Sequence, residues 1–498
     1  MPGTPAAPMT SLQKRVLYVA IVASFIAFLD GSVVNLALPA ISRELGGGLV
    51  VQQWVVDAYL LTLGALILVA GSLSDQFGRV RVLEWGLAGF TATSILCGVA
   101  WNGESLIIFR GLQGVAGALL VPSSLALIVT VFSGPAQSAA IGKWSAWTSG
   151  AIVAAPLLGG ISVDVFTWRV IFFLNIVPAA AVWPALRRLR AQDLERPPGS
   201  SIDVAGTVLA VVGLGGIVYA FIERGSQGWG SPKVWVPLAV GIAGLAAFLV
   251  HEGRTRAPMM PLRLYTVRNF GWGNAATLVI YGALNLGFFV LGLYLQQVAG
   301  LGATAAGLAL LPSTLILLLL SSRMGALSGR FGPRWFMTAG PLLCAAGFLL
   351  MLGIGLPLDY AWQVLPGVVV FGIGLAVTVA PLTSAILGAV PPEEAGIGSA
   401  VNNAVARIAG LVTIAFAGLI TGPVITTAGL HATSLVTAAL FVAGAVASAV
   451  GIRNPPQSAD ASAGTAPDGA APDGAAPDGA APDGAPGDGG GVSGASGD

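Results

Sequence analysis

The sequence predicts an all-α integral membrane protein: two six-helix pseudo-repeat bundles plus two inserted helices, fourteen transmembrane helices in all. Three observations carry that prediction. The nonapeptide from Gly71 to Arg79 (GSLSDQFGR) recurs in degraded form from Gly325 to Pro333 (GALSGRFGP), each copy a short polar connector between two long apolar runs. Repeated sets of membrane helices are a common construction of secondary transporters. The chain is 55% hydrophobic and 9% charged, with a mean hydropathy of +0.84, whereas soluble domains carry roughly 25% charged residues. The apolar runs also reach the about 20 residues that a helix needs to cross the hydrocarbon, and they do not alternate in polarity as barrel strands would.

Taken in order, residues 1–15 form a polar, Pro-rich tail ending in Lys14 and Arg15. A signal peptide is the competing reading there, but Asp30 interrupts the apolar run that follows. The first bundle, 16–186, holds spans at 16–38, 50–72, 83–100, 105–130, 138–162 and 168–186. A connector at 187–203 leads to the inserted pair within 204–251, with spans at 204–222 and 234–251. After a second connector at 252–269, the second bundle, 270–450, holds spans at 270–297, 303–321, 335–353, 361–388, 397–420 and 428–450. The repeat locates the insertion. Its first copy joins the second and third spans, and its second joins the tenth and eleventh, where two plain six-helix halves would put it between the eighth and ninth. Residues 451–498 carry seven Asp and, from Ala466 to Gly484, Ala-Pro-Asp-Gly repeats with no apolar content, a composition that cannot bury a core and predicts disorder.

An even number of spans puts both termini on one side. That side receives sixteen of the 23 Lys and Arg: Lys14, Arg15, Arg79, Arg81, four within 187–196, four within 254–268, Arg323, Arg330, Arg334 and Arg453. The opposite loops receive Arg43, Arg224 and Lys233, and Arg110, Lys143, Arg169 and Arg407 fall within the span limits. Because cytoplasmic loops retain Lys and Arg, both termini are expected in the cytoplasm of a plasma-membrane protein.

Several chemistries are not encoded. The net charge of +1 offers no basic patch for nucleic acid. There is no phosphate-binding GxxxxGK[ST] loop, no GxSxG nucleophile elbow, and His251 and His431 belong to no metal motif. No cofactor and no metal are expected, and no enzymatic activity. Cys97 and Cys344 lie in apolar runs and read as small buried hydrophobes.

The polar residues that interrupt the spans are the candidates for function. Asp30 lies in mid-span, where a charge costs about 2.5–3.5 kcal/mol on insertion scales. It persists as a proton or cation carrier, the reading preferred here, or as a structural acid paired with an arginine. Arg110, in the outer third of the fourth span, keeps its charge and therefore needs an acid, a backbone acceptor or water. Control of a nearby Asp and a fixed structural pair are both open. Gly111, Gly114 and Gly117 form a small-residue stripe beside it that admits a neighbouring helix. Asp57, toward the outer end of the second span, reads equally as a second protonation site, a binder of cationic substrate or a residue that meets water. Asp164, Glu223 and Arg224 fall at outer helix ends and read as solvated. On the terminal side, Gly71, Asp75, Gly78, Arg79 and Arg81 read as a gate. Asp75 is expected to meet the positive N-terminus of the thirteenth span while Arg79 meets Glu393 or Glu394. In the fifth span, Gly150, Pro156, Gly159 and Gly160 combine a helix-bending proline with small residues and predict a pliable packing helix.

These motifs together resemble the major facilitator superfamily, in its fourteen-span drug:proton antiporter branch, over nearly the whole chain to about Arg453. Leu29–Pro39 (LDGSVVNLALP) is similar to the first-span signature of that branch, and Gly71–Arg81 to the superfamily's loop motif. Arg110, Gln113, Gly114 and Gly117 are similar to the fourth-span motif. The fifth-span exporter motif is matched by Pro156, Gly159 and Gly160, with Ala155 where the family usually has Gly. Trp168–Asn175 (WRVIFFLN) and Tyr294–Gln297 (YLQQ) also look typical of the branch. The resemblance implies alternating access between two halves and proton entry driving substrate exit, with roles in coupling for Asp30 and Arg110. The expected partners are a small-molecule substrate, protons and the lipid bilayer, with a monomeric protein. The expected cargo is a lipophilic drug, cationic drugs included, or an endogenous antibiotic. A dedicated carrier of one metabolite, such as an amino acid or siderophore, is the alternative, and a non-transporting membrane sensor is a third class that the intramembrane charges disfavour.

Overall fold

The computed structural model describes residues 9–190, 203–255, 258–391 and 394–454. Among them the chain is helical. The first helices are α1 (Ser11–Leu45), α2 (Gly48–Phe77), α3 (Arg79–Gly98), α4 (Gly103–Val131) and α5 (Gly134–Ile161). A π-helical turn at Ser162–Phe166 follows, then α6 (Val170–Phe173) and α7 (Ile176–Arg190). Next come α8 (Val204–Gln227), α9 (Pro232–Glu252) and a short 3-10 turn at Leu262–Thr266. The remainder is α10 (Arg268–Gln297), α11 (Ala303–Phe331), α12 (Pro333–Leu350), α13 (Leu365–Leu387), α14 (Ala395–Thr421) and α15 (Thr427–Gly451). Side-chain caps set two of the starts. Thr10 and Gln13 close a reciprocal capping box on α1, and Asn102 and Ser105 do so on α4.

Each of the fourteen predicted spans falls on helix, and among the described residues thirteen helices are long and apolar enough to cross a membrane by length and composition. The predicted span outside that set is α3, whose first turns carry Arg79, Arg81 and Glu84. The predicted sixth span is not one helix: it breaks at Leu174 and Asn175 between α6 and α7. The predicted boundary residues 191–202 and the tail from residue 455 lie outside the described residues.

Both copies of the repeat build the same turn. Gly78 alone joins α2 to α3, with φ +92°, and Gly332 alone joins α11 to α12, with φ +85°. A side chain rarely adopts that backbone, which accounts for glycine at the eighth position of both nonapeptides.

Helices α1–α7 pack on one another and α10–α15 pack on one another; the two sets meet chiefly where α2 faces α14 and α5 faces α11, with α1 touching α10 and α11. Helices α8 and α9 form a hairpin. A side chain on Gly216 would meet the Pro237 carbonyl at 2.5 Å, and one on Gly241 the Ile217 nitrogen at 2.6 Å. The hairpin touches both sets through α8, on α2 and on α14.

Candidate functional site

The α1 apolar face buries Asp30 at 0% exposure, opposite Arg110 of α4 at 1%. Arg110 Nη1 donates to Asp30 Oδ2 at 2.6 Å and to Gln113 Oε1 at 2.7 Å, and its Nε donates to the Val55 carbonyl of α2 at 3.1 Å. The other carboxylate oxygen, Asp30 Oδ1, accepts from Gln113 Nε2 at 3.0 Å and from Asn175 Nδ2 at 2.8 Å. Both amides also donate to Ser94 Oγ of α3, at 2.8 and 3.2 Å. The guanidinium lies 4.3 Å from the Tyr59 ring centroid, a cation–π contact. One carboxylate thus ties together α1, α4 and the α6–α7 break, and one guanidinium adds α2.

Close packing makes that node dry. A side chain on Gly114 would meet the Tyr59 carbonyl at 2.4 Å, so the predicted stripe does admit α2 to contact with α4. In such surroundings a charge persists only when paired and hydrogen-bonded. Asp30 and Arg110 satisfy one another, so the paired arrangement entertained for Asp30 is the one present, and Arg110 finds both an acid and a backbone acceptor.

Asp57 is not compensated in that way. It is 0% exposed on α2, and neither carboxylate oxygen has a hydrogen-bond partner among the described residues. Of the three readings open for it, the one in which it meets water does not agree with that burial. One turn earlier, Gln53 Nε2 crosses to the other helix set and donates to the Ile414 and Ala415 carbonyls of α14 at 2.6 and 3.1 Å.

The far ends of the helices, opposite the end bearing the N-terminus of α1, are locked. Asp164 is exposed, as expected, and it also accepts from the Ala303 and Thr304 backbone N–H groups at 2.9 and 2.8 Å, capping the start of α11. A side chain on Gly160 would lie 2.4 Å from Thr304 Cα, and one on Gly307 3.0 Å from Pro156. Pro156, Gly159 and Gly160 are therefore packing residues, Gly159 against Val33. Gly150 is not: nothing lies within 4 Å of an added Cβ there, so the tight contact expected of the whole segment is confined to its far end. Glu223, expected in solvent, is half-buried and accepts from Trp54 Nε1 at 3.3 Å.

At the near end, Arg79 Nη1 donates to the Ala126 carbonyl at 2.9 Å and to Thr130 Oγ1, both on α4. Arg81 is half-buried on α3. Glu394, which precedes α14, is gripped by Arg263 at 2.7 and 3.2 Å. Glu393 and the Asp75 side chain lie outside the described residues, and Gly71 has nothing within 4 Å of an added Cβ.

Sequence reasoning gave no role to Asn175, Ser94, Gln53 or Arg407. Asn175 and Gln53 did carry a signal: each is an amide within an apolar run. Cys97 and Cys344 are buried and free, as expected.

The sequence model of the Major Facilitator Superfamily matches residues 20–414. The chain is 34% identical over 407 residues to the puromycin resistance protein of Streptomyces alboniger, covering 80% of each chain. It is 31% identical over 422 residues to the tetracenomycin C resistance and export protein of Streptomyces glaucescens, covering 84% of this chain and 77% of that one. It is 33% identical over 417 residues to the cephamycin export protein of Amycolatopsis lactamdurans, covering 83% and 86%. Among solved structures, a peptide transporter complexed with sulfate superposes with a TM-score of 0.67 at 15% identity, over 90% of this chain and 95% of that one, a likeness of fold.

Proposed function

The chain belongs to the Major Facilitator Superfamily, a multi-pass membrane transporter rather than an enzyme, and on that premise we propose that it is a proton-coupled secondary exporter of lipophilic drugs or of an endogenous antibiotic. Relatives named for antibiotic resistance and export support the direction and the cargo. The distribution of Lys and Arg supports cytoplasmic termini in a bacterial plasma membrane. With that orientation the near end faces the cytoplasm, and the far-end lock makes this conformation closed to the outside.

The observation that carries the coupling is the single carboxylate of Asp30 holding α1, α4 and the α6–α7 break together. A proton on Asp30 cancels its attraction for Arg110 and turns one acceptor oxygen into a donor facing donors. The node then loosens, and helices of one set can shift relative to each other. Asp57 is the second proton-binding group in this reading, because nothing in this conformation compensates a charge on it. Gly71, Asp75, Gly78, Arg79 and Arg81, with Glu393 and Glu394, form the cytoplasmic gate, and the far-end packing of Pro156, Gly159 and Gly160 supports alternation between the sets.

Dye transport in inverted vesicles, with the cation ethidium and the acid fluorescein both offered and a proton gradient imposed and then collapsed, tests this on the wild type and on Asp30→Asn. Gradient-dependent efflux lost in the variant is expected. Full gradient-driven efflux in the variant moves coupling away from Asp30, with Asp57 next. No transport of either dye by the wild type, with the protein folded, rejects the multidrug cargo.

A further inference from the structure

Arg407 stands at the midpoint of α14, half-buried. The other intramembrane arginine, Arg110, is neutralised by Asp30. Arg169, Arg190 and Arg263 pair with Glu44, Glu84 and Glu394. Among the described residues Arg407 has no carboxylate partner and no side-chain hydrogen bond. Its guanidinium instead faces the opposite helix set, 5.7 Å from the ring centroid of Phe28 on α1. Its Cβ lies 3.4 Å from where a side chain on Gly64 of α2 would begin. One turn earlier on α14, the exposed Asn403 presents an amide on the same helical face.

An arginine stays charged at any pH a cell experiences. In mid-membrane it is retained only against a partner or a water-filled cavity. With no internal anion among the described residues, and with Phe28 of α1 and Gly64 of α2 facing it from the opposite helix set, Arg407 occupies the seam that alternating access opens and closes. A bare guanidinium beside an aromatic ring suits one class of guest. An anionic group, a carboxylate or an ionised phenol or enol, takes the planar fork through two hydrogen bonds, and its attached rings lie against Phe28. A cationic guest would meet like charge, and Asp30 offers it no compensation because three side chains already occupy that carboxylate.

We propose that Arg407 is the anion-recognition residue of the transport cavity and that the exported compounds are lipophilic organic acids. This rests on the exporter reading of that cavity and replaces the cationic cargo that composition had allowed. The charged group of the substrate docks on Arg407, with Asn403 as a second polar contact and Phe28 as an apolar wall.

Two dyes sharing a xanthene ring system but opposite in charge provide the test: fluorescein, an acid, and rhodamine 6G, a cation. Binding is measured on the purified full-length protein by fluorescence anisotropy, with no gradient present, and transport separately in inverted vesicles. The wild type is expected to bind and export fluorescein. Arg407→Gln is expected to weaken fluorescein binding about tenfold or more, the scale of losing one partner of a desolvated charge pair. It should leave rhodamine 6G binding unchanged or improved. Arg407→Lys, which keeps the charge but not the fork, should fall between, and serves as the folded control if Arg407→Gln expresses poorly. Equal fluorescein binding by wild type and Arg407→Gln overturns the proposal, and so does a parallel loss of both dyes, which marks a structural arginine. Fluorescein left unbound by the wild type while rhodamine 6G is exported overturns the acid preference alone. A wild type that binds fluorescein without gradient-driven flux of either dye supports the site and defeats the exporter reading.

Discussion

At the scale of single residues, the arithmetic of buried charge separates Asp30 from Asp57. Removing Arg110 would strand the Asp30 carboxylate in a dry site, a loss of about 3–5 kcal/mol for a buried pair broken from one side. Arg110→Met is therefore expected to lower the thermal unfolding temperature in detergent. The double variant Asp30→Asn with Arg110→Met should recover part of that loss, because the stranded charge is gone. A double variant as unstable as the sum of the singles would mean that the two residues do not act as a pair. The pair itself was legible in the sequence, since two opposite charges in apolar spans each demand compensation. The amides of Gln113 and Asn175 were not legible as its other partners. An amide in a span fits any of several helix contacts, and only the break between α6 and α7 brings Asn175 to α1. Arg407 was visible as a charge within a span, but its lack of a partner is a fact of three dimensions.

Among the elements, two glycines of one motif should respond to the same substitution with opposite signs. Gly78 holds φ +92° in a one-residue turn between membrane helices, so Gly78→Ala strains the backbone by roughly 1–3 kcal/mol. Gly71 is helical with open space around its missing side chain, so Gly71→Ala is expected to be neutral or to stabilise by up to about 1 kcal/mol. Unfolding temperatures of the two variants, side by side, check this; equal shifts would contradict the turn geometry. Gly160→Leu places side-chain atoms against the Thr304 backbone, which cannot rotate away as a side chain can. Export by that variant is expected to be abolished while Gly150→Leu keeps it, and export retained in both would remove the case for α5–α11 packing. The helical segments were readable because apolar length sets them. The break at Leu174–Asn175 and the π-helical turns at Ser162–Phe166 and Tyr360–Val364 were not, because composition does not change there.

For the molecule as a whole, the far end carries hydrogen bonds between α1–α7 and α10–α15: Gln53 to α14 and Asp164 to α11. Four bonds worth about 0.5–1.5 kcal/mol each, and more for those to a charged acceptor, are a small enough sum for substrate or protons to reverse. The combined variant Gln53→Leu with Asp164→Asn is expected to shift the population toward the outside-open form. A cysteine at Gly418, next to Gln53, would then react faster with a membrane-impermeant maleimide in whole cells; an unchanged rate would rule out the far-end contacts as the lock. The α8–α9 hairpin adds something of another kind. Through Trp54 against Tyr219, Leu61 beside Gly215 and Phe221 on Phe416, α8 covers the lipid side of the seam between α2 and α14. A hydrophobic compound dissolved in the bilayer finds that flank walled off, so its way in must run from the aqueous face or along the opposite flank, beside α5 and α11.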